Sequence, residues 1–382
     1  MALNIDWLNA ITYKSINPKA LEDLVFRKGA LLAYARKNQF EGYEGGVSMD
    51  EAVIYDSMIG GFYDTGAPLS TDVVQPLAGL TFQPKKSYVT IAEFEENLAI
   101  NRGPAAVFSA LRAKHRVAVN TLNSIWNIAM WRHGQTVSGD DRIKFSNGIE
   151  EALNDGVTQS WRGNIFTSYG GQTRNVEVAS GYNGLNSIPY FCGNSTTGAA
   201  GQLTYDKLVD IYLRATEGDR MPNLILCNKA MWGFALKRVQ AQQTFQFNRD
   251  VGKDAVYGAT SIKFMNADIV VDNYAPSATS QSGTNEAKLG DYSTAATVTI
   301  SGSPASGSNI PSSGTFVPAE VGAMLNTDTW KFRLSTHPSF KFGFTGYIPN
   351  QQNSLLVGRI RAMGTYYCTN PGLNTLFFGA NS

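Results

Sequence analysis

Apolar residues follow two kinds of pattern along the chain. In 18–40, Leu21, Leu24, Val25, Leu31 and Leu32 recur at helical spacing and predict a helix. Gly29 weakens its middle, and the three glycines of GYEGGVS end it. Residues 52–81 mix strand-like patches with turn signals (IGG, TGAP, QPLAG). Residues 82–94 read as an extended strand, since Tyr88, Val89, Thr90 and Ile91 are β-formers. Pro104 suits a first helical turn. From there Phe108, Leu111, His115, Ala118, Leu122, Ile125 and Ala129 form one face of a helix ending near His133-Gly134. Such a helix is about 43 Å long at roughly 1.5 Å per residue. The mean globular helix has only about 11–12 residues.

Glycine-rich turns and aromatics fill 143–190. Residues 204–217 are amphipathic, with Thr204 as cap; 223–227 (NLILC) reads as a buried strand and 228–243 as a further helix. Residues 261–272 predict two short strands around an Asn-Ala turn. Strands alternating with helices indicate an α/β or α+β arrangement here. Residues 276–315 are rich in Ser, Thr, Gly and Ala, with TVTI (297–300) as a lone strand. They are expected to form an ordered, surface-facing element in which TVTI pairs in a small sheet. WKFRLS, FKFGFTGYI and SLLVGRIRAMGTYYC predict a terminal antiparallel sheet.

Composition narrows the function. A chain of 382 residues suggests about two to three domains. At 43% hydrophobic it can build a core, yet it is only 16% charged, against roughly 25% in ordinary soluble domains. That deficit suggests a surface buried against other chains. A net charge of +1 gives no electrostatic case for wrapping nucleic acid. No apolar run of about 18 residues indicates a membrane span. The N-terminus lacks the basic start and apolar block of a signal peptide. Cys192, Cys227 and Cys368 are odd in number, far apart and without a CxxC pair, so they predict buried reduced thiols.

Catalytic patterns are missing: the sequence has no GxSxG, no GxxxxGK[ST], no GxGxxG and no HExxH. Of the three histidines, His115 lies on the apolar helix face and His133 reads as a favourable charge at the helix C-terminus. Glu93, Glu95 and Glu96 form one acidic cluster and Asp140-Asp141 another. Adjacent carboxylates diverge, so solvated charge or intersubunit ion pairs fit better than acid–base chemistry. Lys85-Lys86 on an exposed strand deters edge pairing. Catalytic residues, metal ligands and cofactors are therefore assigned as none.

The order of features carries a resemblance. It runs from an N-terminal arm through a strand-bearing loop, Asn97 and Asn101-Arg102-Gly103, to the long helix and then Ser168-Tyr169-Gly170-Gly171-Gln172-Thr173-Arg174. An amphipathic helix, NLILC, MWGFALKRVQAQQ and MNADIVVD follow, and the chain closes with AMLNTDTWKFRL and GRIRAMGTYYCTNPGLNTLFFGA. Over nearly the whole chain this resembles the major capsid proteins of tailed bacteriophages, of the Hong Kong ninety-seven type. The resemblance implies an α+β fold divided into an N-terminal arm (1–50), an E-loop (51–98), a P-domain with its spine helix (99–184), an A-domain (185–275), an insertion (276–315) and C-terminal strands returning to the P-domain (316–382). It implies a structural subunit of an icosahedral shell, built of hexamers and pentamers, that encloses double-stranded DNA without sequence-specific binding. The implied location is the virion, after assembly in the host cytoplasm. The strand at 82–94 would belong to the projecting loop and lie over an adjacent subunit, with Lys85, Lys86, Tyr88, Glu93, Glu95 and Glu96 as candidate intersubunit contacts. Gly45-Gly46 and Gly60-Gly61 would act as hinges. Because the chain begins close to the arm, a separate scaffolding protein is implied. A portal protein and, in some members, a decoration protein are further partners; no membrane is.

Two other readings compete. One is an encapsulin-type shell of the same fold that encloses protein cargo; the nucleic-acid absorbance of the particle separates it from a capsid. The other is an enzyme using carboxylates on glycans, which would act as a monomer without large particles.

Overall fold

The computed structural model describes residues 29–54, 58–66, 69, 71–73, 76–96, 104–135, 145–174, 184–239, 262–278, 294–350 and 355–381. In chain order the helices are α1 (Ala30–Asn38), α2 (Pro104–Trp131), α3 (Ile149–Ala152), α4 (Tyr205–Arg214) and α5 (Lys229–Val239). The strands are β1 (Phe40–Tyr43), β2 (Met49–Ile54), β3 (Leu77–Phe82), β4 (Lys85–Phe94), β5 (Ser168–Tyr169), β6 (Gln172–Thr173), β7 (Tyr190–Phe191), β8 (Gly201–Gln202) and β9 (Leu224–Cys227). They continue with β10 (Ile262–Phe264), β11 (Ala267–Val271), β12 (Val298–Thr299), β13 (Thr315–Phe316), β14 (Glu320–Leu325), β15 (Trp330–Ser335), β16 (Lys341–Asn350), β17 (Leu355–Cys368) and β18 (Thr375–Asn381).

Two mixed sheets organise them. The first runs β1-β15-β17-β16, with β4 on the other edge of β17. The second runs β10-β11-β9-β14-β18-β7, with β8 also on β18. The predicted terminal antiparallel sheet is therefore correct for β15, β16 and β17. β18 departs from it: all but its last residue are buried, and it pairs with β14 in the second sheet.

The long helix fastens the first sheet to the segment that follows β11 of the second. On one side Trp126 meets Phe332 of β15 edge-on, ring centroids 5.6 Å apart. On the other, Trp131 Nε1 donates to Asp272 at 3.0 Å and Ser124 shares a 2.6 Å hydrogen bond with the Tyr274 hydroxyl. The last turn, Ile128 to Trp131, is buried on every side. A helix of 28 residues spans about 42 Å. His133 is not an exposed terminal charge, as the sequence suggested: it is fully buried, beside Phe166 and the Gln135 carbonyl oxygen.

α1 lies along α2 and starts at Gly29, where the sequence pattern has its weak point. Gly29 has no side chain to cap the helix, and the orphan amides need acceptors. Asp272 accepts from the Ala30 and Leu31 amides, and Asn127 Oδ1 accepts from Leu32 N at 3.3 Å. α4 starts at Thr204 as expected, its hydroxyl accepting from Lys207 N. β10 and β11 form the expected pair of strands, but the turn between them is Met265-Asn266 rather than Asn-Ala, since Ala267 already pairs with Phe264. The N-terminal part of the predicted first helix, before residue 29, lies outside the described residues, as does the C-terminal part of α5's expected span.

The Ser/Thr/Gly-rich segment is more interior than its composition suggests. Val298 pairs with Phe316 across β12 and β13, so the TVTI strand does sit in a small sheet. Yet Val298, Ile310 and Phe316 belong to the main apolar core, and Phe191 N donates to Ser308 O at 2.8 Å. Residues 279–293 lie outside the described residues.

Candidate subunit interface

β2 and β3 pair from Met49 with Phe82 to Ile54 with Leu77. Successive residues point to opposite faces, and only one face is covered: Met49, Leu80 and Phe82 are buried. Phe82 stacks on Tyr367 at 4.4 Å and meets Tyr169 edge-on at 5.3 Å. Past this stem the cover ends. Val73 is 98% exposed and Ile54 78%, and Met58, Ile59, Phe62, Tyr63, Leu69 and Leu77 are also exposed. A lone two-stranded hairpin is marginal in water, and contiguous exposed apolar surface marks association. The hairpin stem and the described residues of 58–73 thus expose an apolar surface.

Its mount is the SYGGQTR segment. The tight turn between β5 and β6 places Gly170 at φ +56, where a Cβ would stand 3.0 Å from Leu80 Cβ; glycine alone fits both the backbone and the space. Thr81 N then donates to Gly170 O at 2.8 Å, and Gln172 Nε2 donates to Gly79 O at 2.9 Å. Tyr169 Oη accepts from Cys368 N at 2.8 Å and donates to Cys368 O at 3.1 Å, which ties the turn to β17. Arg174 is buried and donates to the Glu151, Ala152 and Leu185 carbonyl oxygens. Burial lowers its pKa to about 10.

A polar cluster closes the stem's other side. Glu51 Oε1 accepts from the Tyr367 hydroxyl at 2.8 Å and lies 3.2 Å from Lys331 Nζ and 2.5 Å from Arg333 Nη2. Glu41 shares both cations, at 3.5 Å and 2.7 Å. Burial pushes the Tyr367 hydroxyl well up, and the hydrogen bond to Glu51 adds to this. Burial alone would raise Glu41; the Arg333 hydrogen bond and the two cationic charges outweigh it and hold its carboxyl below the usual range. Sequence reasoning missed this cluster. Its signal was the period-2 placement of Lys331 and Arg333 on WKFRLS, which puts both on one face of β15.

The six candidate contacts separate into two groups. β4 is not the projecting limb: it pairs with β17 from Lys85–Gly364 to Phe94–Leu355, and the arm is the hairpin before it. The physical reason is the strand's inner face, where Ile91 is buried in the core and Ser87 Oγ accepts from Trp126 Nε1 at 2.9 Å. Lys85 turns inward, its Nζ donating to Gly134 O at 3.3 Å in a cleft of about 380 Å³ shared with Gln135, Asn147 and Glu151. Burial lowers its pKa, opposed by the Glu151 charge. Glu93, 5% exposed, is paired with Lys114 of α2. Lys85 and Glu93 are thus occupied within the chain. Lys86, Tyr88, Glu95 and Glu96 are exposed. Of the two expected hinges, Gly45 and Gly46 have φ of +156 and +121, a backbone suited to glycine, whereas Gly60 and Gly61 do not appear among the positive-φ residues.

Among the described residues no three His, Cys, Asp or Glu side chains group as a metal site, and no helix is long and apolar enough to cross a membrane. No protein-family model and no curated protein matches the sequence. Solved structures do match in shape. The capsid asymmetric unit of cyanophage A-1(L) is 12% identical with a TM-score of 0.59, over 97% of each chain. The capsid of the empty GTA particle is 13% identical with a TM-score of 0.52, over 96% of each chain. The holo-SrpI encapsulin complex from Synechococcus elongatus PCC 7942 is 6% identical, also with a TM-score of 0.52, over 100% of this chain and 97% of that one. From its first described helix to its last strand, the chain has the α+β fold of these shell proteins, the Hong Kong ninety-seven type.

Proposed function

We propose that this chain is the major capsid subunit of a tailed bacteriophage, self-assembling through hexamers and pentamers into an icosahedral shell around double-stranded DNA. The observation that carries the reading is the uncovered apolar arm on a rigid mount: its surface is satisfied only against another copy. A repeated contact between unlike surfaces that can close gives a symmetric closed assembly. Contact with DNA is non-specific, in keeping with the near-zero net charge. A scaffolding protein, a portal and a decoration protein are the partners such a shell takes, with assembly in the host cytoplasm and residence in the virion. The arm corresponds to the E-loop, α2 and the first sheet to the P-domain, and the second sheet with α4 and α5 to the A-domain. Electron microscopy and sedimentation of the full chain, expressed with its scaffolding partner, test this: closed icosahedral particles are expected. Monomers or small rings alone would reject it.

The encapsulin-type reading rests on the likeness to the SrpI complex. Particles from the native source that absorb as protein without nucleic acid, and release an enzyme on opening, would favour it over the capsid.

A further inference from the structure

A cleft of about 450 Å³ lies between α4, Tyr190 of β7 and the loop 303–312 that joins β12 to β13. Its size falls within the roughly 300–1,000 Å³ of small-ligand sites. Arg214, the last residue of α4, stands in it. The guanidinium carbon lies 5.1 Å from the centroid of the Tyr190 ring, a cation–π contact. Gly307 closes on the guanidinium from the loop: its φ is +87, and a Cβ there would stand 2.9 Å from Arg214 Nη2 and 3.1 Å from Nη1. The loop is itself pinned. Phe191 N donates to Ser308 O at 2.8 Å, Asn309 Nδ2 donates to Phe191 O at 2.8 Å, and Ala305 N donates to Thr158 Oγ1 at 3.1 Å. A ring face and a backbone surface therefore hold the guanidinium in place. Its N–H groups are left over: among the described residues the Arg214 side chain makes no hydrogen bond or ion pair. The Asp210 carboxylate, one turn earlier on α4, makes none either, although acid four positions before base is the favourable order for a helical ion pair. Asp210, Arg214, Ser303, Ser306 and Ser312 are all exposed, so the cleft is open to solvent.

We propose that this cleft binds an acidic saccharide, a sugar bearing a carboxylate, through Arg214 and Asp210. Arg214 offers a planar fork of donors that matches a carboxylate in two parallel hydrogen bonds. Asp210 is an acceptor without a donor, and Ser303, Ser306 and Ser312 add hydroxyls that both donate and accept. A polyhydroxylated ring supplies the partners these groups lack, whereas an apolar ligand would strip their water without replacing its hydrogen bonds. Charge narrows the anion. A phosphate monoester carries about −1.5 to −2 at pH 7, which Asp210 opposes; a carboxylate carries a single charge that Arg214 balances. Because the guanidinium is already held, little further freedom is lost on binding. The site belongs to the single chain and does not rest on the shell reading.

Equilibrium dialysis of labelled trigalacturonate against the full chain, at physiological salt, tests the assignment. Unlabelled galactotriose, inorganic phosphate and triglutamate compete as the neutral sugar, the bare anion and the acidic peptide. Trigalacturonate is expected to bind once per chain at millimolar concentration or below. Each competitor is expected to bind at least about tenfold more weakly, the factor carried by one charge-assisted hydrogen bond. Arg214→Gln removes the fork and should weaken binding by about tenfold or more; Arg214→Lys keeps the charge and should fall between. Asp210→Asn removes the repulsion and should let phosphate compete better. Both positions are exposed, so the variants should keep the wild-type circular dichroism spectrum; should Arg214→Gln fail to fold, Arg214→Lys carries the comparison. No binding at millimolar trigalacturonate, equal affinity for galactotriose, or unchanged binding by folded Arg214→Gln overturns the proposal. Phosphate or triglutamate binding as tightly as trigalacturonate overturns it too, since the cleft then takes any anion or an acidic peptide. Phosphate competition unchanged by Asp210→Asn overturns the part given to Asp210.

Discussion

Replacing Glu51 separates the arm's attachment from its covering. The carboxylate is 14% exposed, with partners Lys331 and Arg333 at 28% and 22%, so the site is neither dry nor fully screened. A hydrogen bond to a charged group contributes about 1.5–3 kcal/mol, and exposed ion pairs only about 0–1 kcal/mol. Glu41 still holds both cations after the change, which limits the loss. About 1.5 kcal/mol is therefore expected for Glu51→Ala at low salt, taking the lower end of the charged range. Glu51→Gln keeps an acceptor for the Tyr367 hydroxyl and loses only the charge, so about half of that is expected. Urea unfolding of the unassembled subunit reads the difference, through the midpoint at unchanged slope. Raising ionic strength shortens the Debye length from about 10 Å at 0.1 M to about 3 Å at 1 M. The Gln penalty should shrink accordingly, whereas the Ala penalty keeps its hydrogen-bond share. Equal midpoints for all three proteins, or a Gln penalty independent of salt, would refute the latch.

Other expectations follow from single groups. The three cysteines are buried and unpaired, and burial pushes the Cys192 and Cys368 thiols up to about 12; the folded chain should resist alkylation at pH 8 and keep its stability under reductant, and rapid labelling of all three would contradict this. Asp272 and Glu41 should respond to acid in opposite senses. Burial raises the folded pKa of Asp272, so the wild type should gain relative to Asp272→Asn as pH falls through that raised value toward the unfolded pKa of about 3.9. Glu41's folded pKa is depressed, so its contribution is present above the unfolded value of about 4.3 and lost as pH falls through the folded one; urea midpoints at pH 7 and below 4 compare each with its amide variant. Replacing 294–312 by a short Gly/Ser linker removes Val298 and Ile310 from the core, each contributing about 1.5–3 kcal/mol, and the Ser308 acceptor of Phe191 N. Soluble folding should be lost, and a folded soluble product would show the segment to be peripheral.

How much of this was legible depended on where the deciding contact lies in sequence. The long helix was legible because its signal is local: Ala118, Leu122 and Ala129 sit on the predicted face and are buried. The cap at Thr204 and the strand at 224–227 were legible for the same reason. What failed depended on distant partners. The strand at 82–94 looked like part of a projecting loop because nothing within it reveals β17, more than 260 residues away in sequence, which pairs with it along its length. His133 carried a helix-end signature, yet it is enclosed by the segment around Phe166. Lys85 and Lys86 are adjacent and chemically identical, and strand alternation alone sends one to Glu151's cleft and the other to solvent. Composition misled at 294–312, where small polar residues read as linker: Ser308 and Asn309 are there to hydrogen-bond the backbone at Phe191 and Gly193.

The same division explains why one chain can be both well folded and incomplete. The base has redundant fastening: α2 touches the first sheet through Trp126 and the segment after β11 through Trp131 and Ser124, and the SYGGQTR turn ties β3 and β17 to each other through Gly170 and Tyr169. Loss of a single contact there leaves the others to hold the geometry, and its cost appears as subunit stability. The arm past Ile54 and Leu77 has no such redundancy, because Met58, Phe62, Tyr63 and Val73 are exposed among the described residues. Substitutions at Phe62 or Val73 therefore change little in the isolated subunit. In the proposed shell their cost appears only when a second copy arrives. A rigid mount also fixes where the arm points before any neighbour is present, so less ordering is left for assembly to overcome.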